Sequence, residues 1–318
     1  MKVCIWGARG SLPATFNAER SRAKVKAALE IAIEKGVDST TDLDSFIDNE
    51  LPFPVRASYG TNTPCIQIEG ADDEYIICDC GTGLRDLGNK IMEERQGRSG
   101  AHYHILISHL HWDHLQGFPF FVPAYVPGNH ISFYGGHPGI EKALRNQQSE
   151  PGFPVHFDHL GSKIDFTRLK NGQEFELCGV KIIVKAQYHP GGSFGYRFEK
   201  NGKSAVYSTD CEHKSATALN DKDFVDFFRD ADLLIMDAQY SFAEANSIKE
   251  DWGHSNNIIA VELSGLAGVK TLCLFHQEPI LDDFQLHKFL EDTREFAGLV
   301  ESKPDKIIMA QDGLCIDL

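Results

Sequence analysis

About a third of the way along its 318 residues, the chain reads His104-Ile-Leu-Ile-Ser-His109-Leu-His111-Trp-Asp113-His114. An apolar run typical of a buried strand leads directly into three histidines and an aspartate within six positions. His109 and His111 are two residues apart, so an extended backbone directs both side chains to one side. Asp113 and His114 follow at a turn and can face the same space. Because neutral imidazoles and a carboxylate suit Zn²⁺ and similar metals, this stretch predicts a metal site at a strand end.

Three further candidate ligands follow strand-like segments later in the chain. His189 ends the segment KIIVKAQYH, Asp210 ends SAVYSTD, and His276 ends TLCLFH. Each of these residues alone is as compatible with a structural role as with metal binding. As an ordered set after the first stretch, they indicate a single site built at several strand ends.

The segment His-Leu-His-Trp-Asp-His resembles the H-x-H-x-D-H signature of the metallo-β-lactamase fold hydrolases, and the later ligand candidates match that superfamily in order. The runs YHPGGSFGYR, DAQY, WGHSNNIIAVEL and LFHQEP are similar to its phosphodiesterase branch. That branch includes the tRNA 3′-processing endonucleases (tRNase Z) and the phosphoribosyl cyclic phosphodiesterases of phosphonate metabolism. The resemblance covers nearly the whole chain outside one insertion, and it implies an α/β (α+β) fold with a four-layer αββα sandwich.

The resemblance also implies a binuclear metal centre, with Zn²⁺ as the first expectation and Mn²⁺ or Fe as alternatives. It implies that one metal is held by His109, His111 and His189 and the other by Asp113, His114 and His276. The carboxylate of Asp210 would bridge the two metals. In the implied reaction, a hydroxide that bridges the metals attacks the phosphodiester, and Asp113 helps to orient it. His254 in Gly253-His254-Ser255 is the implied proton donor to the leaving alkoxide or a stabiliser of the phosphoryl oxygens.

Five polar or aromatic residues at strand-to-loop junctions are further candidates for the surroundings of the site. Asp79 ends the segment YIICD and is interpreted equally as a hydrogen-bond partner of a metal-ligating histidine or as a turn residue. Arg9, Tyr59, Asn62 and Tyr240 are candidates for lining the pocket, although such residues often stabilise turns.

Short segments rich in β-branched and aromatic residues, bounded by Gly, Pro or Asn, predict strands along the whole chain. These segments are Val3–Trp6, Pro64–Glu69, Glu74–Asp79, His104–Ser108, His130–Tyr134, Lys163–Leu169, Val180–Ala186, Phe194–Glu199, Ser204–Thr209, Leu233–Asp237, Thr271–Phe275, Lys306–Ala310 and Cys315–Asp317. Helical periodicity is found at Leu84–Glu94, Gly139–Gln147, Asp223–Arg229, Asn256–Leu266 and Asp283–Leu299. Strands dominate the early and middle parts and helices alternate with strands later, which favours a layered α/β arrangement.

Residues 14–55 stand apart, because they carry two helical patterns and no strand-like segment. We therefore expect residues 1–318 to form one domain with a helical insertion at about 14–55. Its predicted buried faces are Val25, Leu29, Ala32 and Ile33 on the first helix, and Leu43, Phe46, Ile47 and Leu51 on the second. The insertion is interpreted as a surface helical pair packed on the core, or as a cap over the pocket or a dimer contact, which leaves a homodimer open.

Charge and cysteine usage bear on partners and compartment. The chain has 31 Lys and Arg against 46 Asp and Glu, for a net charge of -15. Because such a surface repels phosphate backbones, no extended nucleic-acid partner is expected, whereas a metal site can attract a small anion. No apolar run reaches the roughly 18 residues of a membrane span, and the N-terminus lacks a signal-peptide pattern. The 8 cysteines lie mostly in apolar runs, which predicts reduced thiols in a cytoplasmic protein.

The leading functional hypothesis is a metal-dependent phosphoric diester hydrolase acting on a small, cyclic phosphodiester, either a cyclic nucleotide or a ribosyl cyclic phosphate. One alternative is a tRNA 3′-processing endoribonuclease of the tRNase Z type, against which the net charge argues. Another is a metal-loaded nucleotide-binding module without turnover, against which the full set of ligand candidates and His254 argue.

Overall fold

A computed structural model of the protein describes residues 1–213, 222–241 and 252–318. In chain order, its strands are β1 (Lys2–Gly7), β2 (Cys65–Ala71), β3 (Glu74–Cys78), β4 (His102–Ile107), β5 (His130–Gly135), β6 (Lys163–Arg168), β7 (Glu174–Leu177), β8 (Val180–Gln187), β9 (Ser193–Lys200), β10 (Lys203–Ser208), β11 (Leu233–Asp237), β12 (Thr271–Phe275), β13 (Lys306–Met309) and β14 (Cys315–Asp317). The α-helices of the described residues are α1 (Ala18–Glu34), α2 (Leu43–Glu50), α3 (Phe53–Arg56), α4 (Gly83–Glu94), α5 (Ile140–Gln147), α6 (Lys222–Phe228), α7 (Asn257–Leu266) and α8 (Asp283–Leu299).

Every predicted strand and helix has an observed counterpart whose ends agree within two residues. The strand β7, with the sequence EFEL, was not predicted from the sequence. It is only four residues long and alternates charged with apolar side chains, so its pattern is too short to distinguish a strand from a turn. It pairs with β8 as the edge of its sheet.

The strands form two sheets of seven, with the orders β14-β1-β2-β3-β4-β5-β6 and β13-β12-β11-β10-β9-β8-β7. Buried side chains of both sheets, such as Ile5 of β1 and Phe198 of β9, form one core cluster between them. Leu87 of α4 and Leu144 of α5 belong to a second cluster on the outer face of the first sheet. Helices α6, α7 and α8 contribute to a third cluster with the second sheet. The predicted four-layer αββα sandwich is therefore confirmed.

Parallel strand pairing places many strand ends at one edge of this sandwich. In the first sheet, β3, β4, β5 and β6 are parallel, and in the second sheet β10, β11, β12 and β13 are parallel. The loops after such strands meet at the carboxyl edge, where α/β proteins usually bind ligands. Asp79, Asp210 and His276, each just after one of these strands, have φ values of 61°, 46° and 62°. This left-handed conformation is strained for residues with a side chain, and such strain is often found at functional sites.

The insertion is helical, as predicted, but the predicted buried face of α1 is wrong. Val25, Leu29 and Ile33 are 57%, 58% and 80% exposed, Ala32 is half-buried, and no residue of α1 is buried. A polar contact holds the helix instead, because Lys24 forms an ion pair of 2.7 Å with the buried carboxylate of Asp283. Its Nζ also donates hydrogen bonds to two carbonyl oxygens at the end of the insertion, those of Pro54 and Ala57.

The predicted buried face of the second helix is half correct. Phe46 of α2 and Leu51, directly after it, are buried, whereas Leu43 and Ile47 are exposed. A helix of eight residues that packs on one side covers only a narrow stripe, so the flanking apolar positions stay in contact with solvent.

The expectation of reduced thiols is wrong for two of the cysteines. Cys4 of β1 and Cys315 of β14 are directly opposite partners in the antiparallel pair and form a disulfide. The pairing could not be read from two cysteines separated by 311 positions, because it depends on the sheet order. The structure shows no disulfide for the other six cysteines among the described residues. Within the described ranges, no helix combines the length and the apolar character that a membrane crossing requires.

Candidate metal centre

All seven predicted metal ligands lie at the carboxyl edge of the two sheets, in the loops that follow four strands. His109 and His111 follow β4, and Asp113 and His114 lie in the 3₁₀ turn Trp112–His114. The ligand candidates from the second half of the chain follow β8, β10 and β12, and they are His189, Asp210 and His276. The structure brings these side chains into two adjoining groups that share Asp210.

The first group consists of His109, His111, His189 and Asp210, whose potential ligand atoms lie within 4.8 Å of one another. The Nε2 of His189 is 3.1 Å from the Nδ1 of His111. The Oδ2 of Asp210 is 3.5 Å from the Nε2 of His109 and 3.8 Å from the Nε2 of His189. Three imidazoles and one carboxylate oxygen therefore converge on one small space.

The second group consists of Asp113, His114 and His276, and its three residues are buried. The Nε2 atoms of His114 and His276 are 3.3 Å apart, and each lies 3.3 Å from the Oδ1 of Asp210. The Oδ2 of Asp113 is 3.4 Å from the Nε2 of His114 and 3.2 Å from that of His276.

The carboxylate of Asp210 lies between the two groups and presents one oxygen to each. Its Oδ2 faces His109 and His189, and its Oδ1 faces His114 and His276. Burial opposes the charge of this carboxylate, yet the surrounding imidazoles hold the pKa of Asp210 well below its usual range. The side chain is thus a fixed negative charge in the position that a ligand shared by two cations would occupy.

The residues present fit two divalent ions of the kind that this arrangement implies. The Nε2 of His109 is buried and has no hydrogen-bond partner in the described ranges, although buried polar atoms in folded proteins are nearly always paired. Burial lowers the pKa of His109 well below its usual range, so its imidazole is neutral at pH 7, which is the form that binds a metal. A neutral, unpaired nitrogen directed at a carboxylate is readily explained by a cation between them. Imidazole and carboxylate donors suit zinc and other borderline metals.

Hydrogen bonds from outside the two groups orient the imidazoles. Asp79 accepts hydrogen bonds from the Nδ1 of His114 at 2.8 Å and from the hydroxyl of Tyr207 at 2.7 Å. The Nδ1 of His189 lies 2.8 Å from the carbonyl oxygen of Gly253, and that of His276 lies 3.2 Å from Gln239 Oε1. Each of the three contacts to a histidine holds a proton on Nδ1 and leaves Nε2 available to a metal. Of the two interpretations of Asp79, the structure therefore favours the hydrogen-bond partner of a candidate ligand, His114.

His254, which was predicted together with Asp113 to be catalytic, lies beside both groups. Its ring stacks on that of His276 at a centroid distance of 4.9 Å, and its Nδ1 is 3.9 Å from the Oδ2 of Asp210. The same Nδ1 donates to the buried carboxylate of Asp237 at 2.8 Å. Although burial opposes the charged form, Asp237 and Asp210 raise the pKa of His254 to about 9.

Sequence reasoning did not assign a role to Asp237. The available signal was its position at the end of the buried strand β11, in line with the strand-end ligands of β10 and β12. Its partner, His254, is 17 residues away, so only the folded structure brings the two together.

The four candidates for lining the pocket have different environments. Arg9 is buried and donates to three main-chain carbonyls, those of Gly60, Glu278 and Leu281. The hydroxyl of Tyr59 contacts His287, and the amide of Asn62 contacts Thr82 and Asp86. Tyr240 lies next to the site, with its ring 5.7 Å from that of His254. Arg9, Tyr59 and Asn62 thus use their polar groups to hold loops together.

Comparison with known proteins identifies a family that the chain matches and several proteins that it resembles. The family described as "Beta-lactamase superfamily domain" matches residues 74–277. A ribonuclease Z from Macrococcus caseolyticus is 28% identical over 144 residues, which are 43% of this chain and 43% of that relative. A ribonuclease Z from Thermoplasma acidophilum is 25% identical over 300 residues, covering 79% of this chain and 90% of that relative. The chain thus spans less than half the length of the Macrococcus relative.

Solved structures extend the likeness over the whole chain. YhfI from Bacillus subtilis, described as a metallo-β-lactamase fold protein, has a TM-score of 0.62 at 19% identity, with 99% of each chain covered. A diphosphatase from the PhnP family has a TM-score of 0.60 at 19% identity and covers 100% of this chain and 97% of its own. The short form of human tRNase Z has a TM-score of 0.59 at 17% identity and covers 100% of this chain and 99% of its own. These likenesses confirm the predicted metallo-β-lactamase fold.

Proposed function

The chain belongs to the beta-lactamase superfamily, and on this basis we propose that it is a binuclear metal-dependent phosphodiesterase. One observation carries the proposal, which is that the two carboxylate oxygens of Asp210 face two separate groups of ligand atoms. When bound, a pair of divalent ions at such a site polarises phosphoryl oxygens and lowers the pKa of a water molecule, so that hydroxide is available to attack a phosphodiester at neutral pH.

The proposed ligands are the seven residues described above, and the distances between their ligand atoms assign them to two ions. His109, His111 and His189 would hold one ion, and Asp113, His114 and His276 the other. The Oδ2 of Asp113 accepts a hydrogen bond of 2.7 Å from the main-chain N–H of Ser11. This bond fixes the carboxylate, which would also align the attacking water.

His254 is the proposed general acid. Its Nδ1–H is held by Asp237, and its Nε2 makes no hydrogen bond to any residue in the described ranges. A raised pKa of about 9 keeps the ring protonated at neutral pH. The ring is therefore arranged to give the Nε2 proton to the leaving oxygen as its bond to phosphorus breaks.

A small, cyclic phosphodiester is the proposed substrate, either a cyclic nucleotide or a ribosyl cyclic phosphate. The net charge of -15 supports this choice, because it opposes binding of a long phosphate backbone, whereas the metal centre supplies local positive charge for one small anion. Zinc as the metal and a cytoplasmic location belong to the same proposal.

Processing of tRNA 3′ ends is the second candidate, and one specific observation favours it. The curated relatives with the matches given above are named ribonuclease Z. These names do not support the expectation that excludes an extended nucleic-acid partner, so an RNA substrate has to be tested directly.

The deciding experiment uses protein that is stripped of metal and reloaded with Zn²⁺ or Mn²⁺. Its substrates are bis(p-nitrophenyl) phosphate, cyclic mono- and dinucleotides, and a tRNA precursor with a 3′ trailer. His109→Ala should abolish turnover, whereas His156→Ala, which changes a half-exposed histidine paired with Asp158, should retain it. Cleavage of cyclic nucleotides alone would support the small substrate, and cleavage of the precursor at its 3′ end would establish the second candidate. Two bound ions without hydrolysis of any phosphodiester would overturn the proposed activity.

A further inference from the structure

A separate group of potential metal ligands lies at the opposite end of the first sheet. It consists of Glu74, His102 and His104, which offer one ligand atom each, all within 4.8 Å of one another. Glu74 is the first residue of β3 and pairs directly with His102, the first residue of the parallel strand β4. His102 and His104 are two residues apart on that strand, so their side chains lie on the same face.

The length of β4 separates this group from the candidate metal centre. The centre begins at His109, after the carboxyl end of β4, and His104 lies five residues earlier near the amino end of the strand. An extended chain rises about 3.3 Å per residue, so the two positions are roughly 16 Å apart. No single ion or ion pair can be shared between the two places.

The imidazole nitrogens of this group are incompletely paired. His104 is only 5% exposed, and its Nδ1 lies 3.2 Å from the hydroxyl of Tyr134, while its Nε2 has no hydrogen-bond partner within the described residues. His102 uses Nε2 for a hydrogen bond of 2.9 Å with Ser132, which leaves Nδ1 facing the Oε1 of Glu74 at 3.9 Å. The two rings are in contact, with centroids 3.9 Å apart.

The rings of His102 and His104 are tilted by 40° and in contact, so they repel each other if both are protonated. If both are neutral, the Nε2 of His104 is left without a protein hydrogen-bond partner among the described residues. Burial lowers the pKa of His104 to about 4 and also lowers that of His102, so both rings are neutral at pH 7. Neutral imidazole is the form that binds a metal, and a cation between the rings and Glu74 would pair the free nitrogens.

A third histidine of the region is already engaged elsewhere. The ring of His130 stacks on that of His102 at 4.1 Å, but its Nε2 makes a hydrogen bond of 2.5 Å with the Oδ2 of Asp165. Stacking places the nitrogens of His130 beside the group without directing them into it. This residue is therefore a natural control for the ligands.

We propose that Glu74, His102 and His104 form a third divalent-metal site of the zinc class, distinct from the candidate centre. Zinc lies about 2.0–2.1 Å from nitrogen and oxygen ligands, which places tetrahedral ligand atoms about 3.3 Å apart, so small side-chain rotations close the site. The thiol of Cys178 donates to the Oε2 of Glu74 at 3.0 Å, from the turn between β7 and β8 in the other sheet. A metal here would tie β3 to β4 and, through Glu74 and Cys178, the first sheet to the second.

The test is the zinc stoichiometry of the full chain after reloading and removal of free metal. We expect three ions per chain in the wild-type protein and two in the double variant His102→Gln/His104→Gln. The control His130→Gln should retain three. A variant of the candidate centre, His109→Ala/His114→Ala, should retain the ion of the proposed site, and zinc should still raise its melting temperature.

Equal stoichiometry in the wild-type protein and the double variant would overturn the proposal, and so would loss of an ion in His130→Gln. Because a double substitution in a buried region can impair folding, Glu74→Gln provides a second test with nearly unchanged shape. It should weaken the binding of one zinc ion at least tenfold in competition with a chelating dye, with an unchanged circular dichroism spectrum. Unchanged affinity in that variant, or binding to the wild-type site only at millimolar zinc, would also overturn the proposal.

Discussion

The carboxylate of Asp79 accepts a hydrogen bond of 2.8 Å from the Nδ1 of His114, and neither side chain is exposed to solvent. The same carboxylate also accepts hydrogen bonds from the main chain and hydroxyl of Ser108 and from the hydroxyl of Tyr207, each at 2.7 Å. With four donors around it, Asp79 cannot rotate without losing buried hydrogen bonds. It therefore fixes the tautomer and the direction of His114, whose Nε2 faces Asp113, Asp210 and His276.

We predict that Asp79→Asn weakens zinc binding by the second group, Asp113, His114 and His276, without removing any of the proposed ligands. An amide in place of the carboxylate presents an N–H group to at least one of the four donors and no longer holds the proton on His114 Nδ1. Loss of such a partner typically costs 10- to 100-fold in metal affinity or activity. Zinc affinity by chelator competition, measured together with kcat on bis(p-nitrophenyl) phosphate, tests the prediction.

Tyr207→Phe is the graded control for that variant, because it removes one donor to Asp79 and leaves His114 untouched. It should have a smaller effect on both zinc affinity and kcat. If Asp79→Asn binds both ions with wild-type affinity and turns over normally, the carboxylate is a turn residue only.

We predict that Asp237→Asn and His254→Gln each lower kcat on a cyclic nucleotide, whose leaving group is an alkoxide, by roughly 10²–10⁴-fold, which is the usual contribution of a general acid. Both variants should retain two zinc ions at the candidate centre, because neither residue belongs to the proposed ligands. The raised pKa of His254 depends on the Asp237 carboxylate, so Asp237→Asn should also move the basic limb of the pH–rate profile to lower pH. A substrate with a good leaving group, such as p-nitrophenolate, should rescue part of the loss. Loss of zinc in either variant, or full activity, would contradict the assigned role.

The parts of the structure that were predictable from the sequence are those set by local pattern and chain order. The strand ends that carry His109, Asp210 and His276 combine an apolar run with a polar residue in fixed order, and the sandwich follows from the same strands. Contacts between distant segments were not predictable. The pair of His254 and Asp237 forms only when the loop before α7 folds over β11.

The insertion shows why an apolar stripe can mislead. The positions Val25, Leu29 and Ile33 repeat at helical spacing, which predicts a buried face, but that face is exposed. The orientation of α1 is set instead by Lys24, whose charge meets the buried Asp283 and whose Nζ reaches two main-chain carbonyls. Hydrophobic periodicity contains no information about a single buried ion pair.

We predict that Lys24→Met releases α1 from the rest of the fold. Its side chain is only 13% exposed, and removal of one member of a buried ion pair leaves the carboxylate of Asp283 without its counter-charge. Breaking such a pair costs about 3 kcal/mol, and here the loss should appear as faster amide hydrogen exchange throughout α1. Lys26→Met is the matched control, since Lys26 is 68% exposed and, within the described part of the chain, its ion pair is with the exposed Glu30. That variant should change stability by less than about 0.5 kcal/mol. Equal exchange rates in the two variants would show that Lys24 does not hold the helix.

The last prediction concerns Asp312, whose carboxylate is buried beneath the loop that contains Thr61 and Asn62. Burial raises the pKa of Asp312 to about 6, although the main-chain N–H groups of these two residues donate to its Oδ2 and oppose the shift. Since the folded protein holds this proton more tightly than the unfolded chain, the contribution of Asp312 to stability is lost as pH rises from about 4 through 6. The shift of about two pH units corresponds to about 3 kcal/mol.

Asp312→Asn removes this titration while keeping an oxygen that can accept both main-chain hydrogen bonds. The other carboxylate oxygen, Oδ1, is buried and has no hydrogen-bond partner among the residues that the structure describes, so an amide nitrogen can take its place. Unfolding by urea at pH 4.5 and pH 7.5 therefore tests the linkage. Between these two pH values, the free energy of unfolding of the variant should improve relative to that of the wild-type protein by about 2 kcal/mol, because part of the wild-type loss has already occurred at pH 4.5. A difference that is the same at both pH values would mean that Asp312 titrates alike in the folded and unfolded chains.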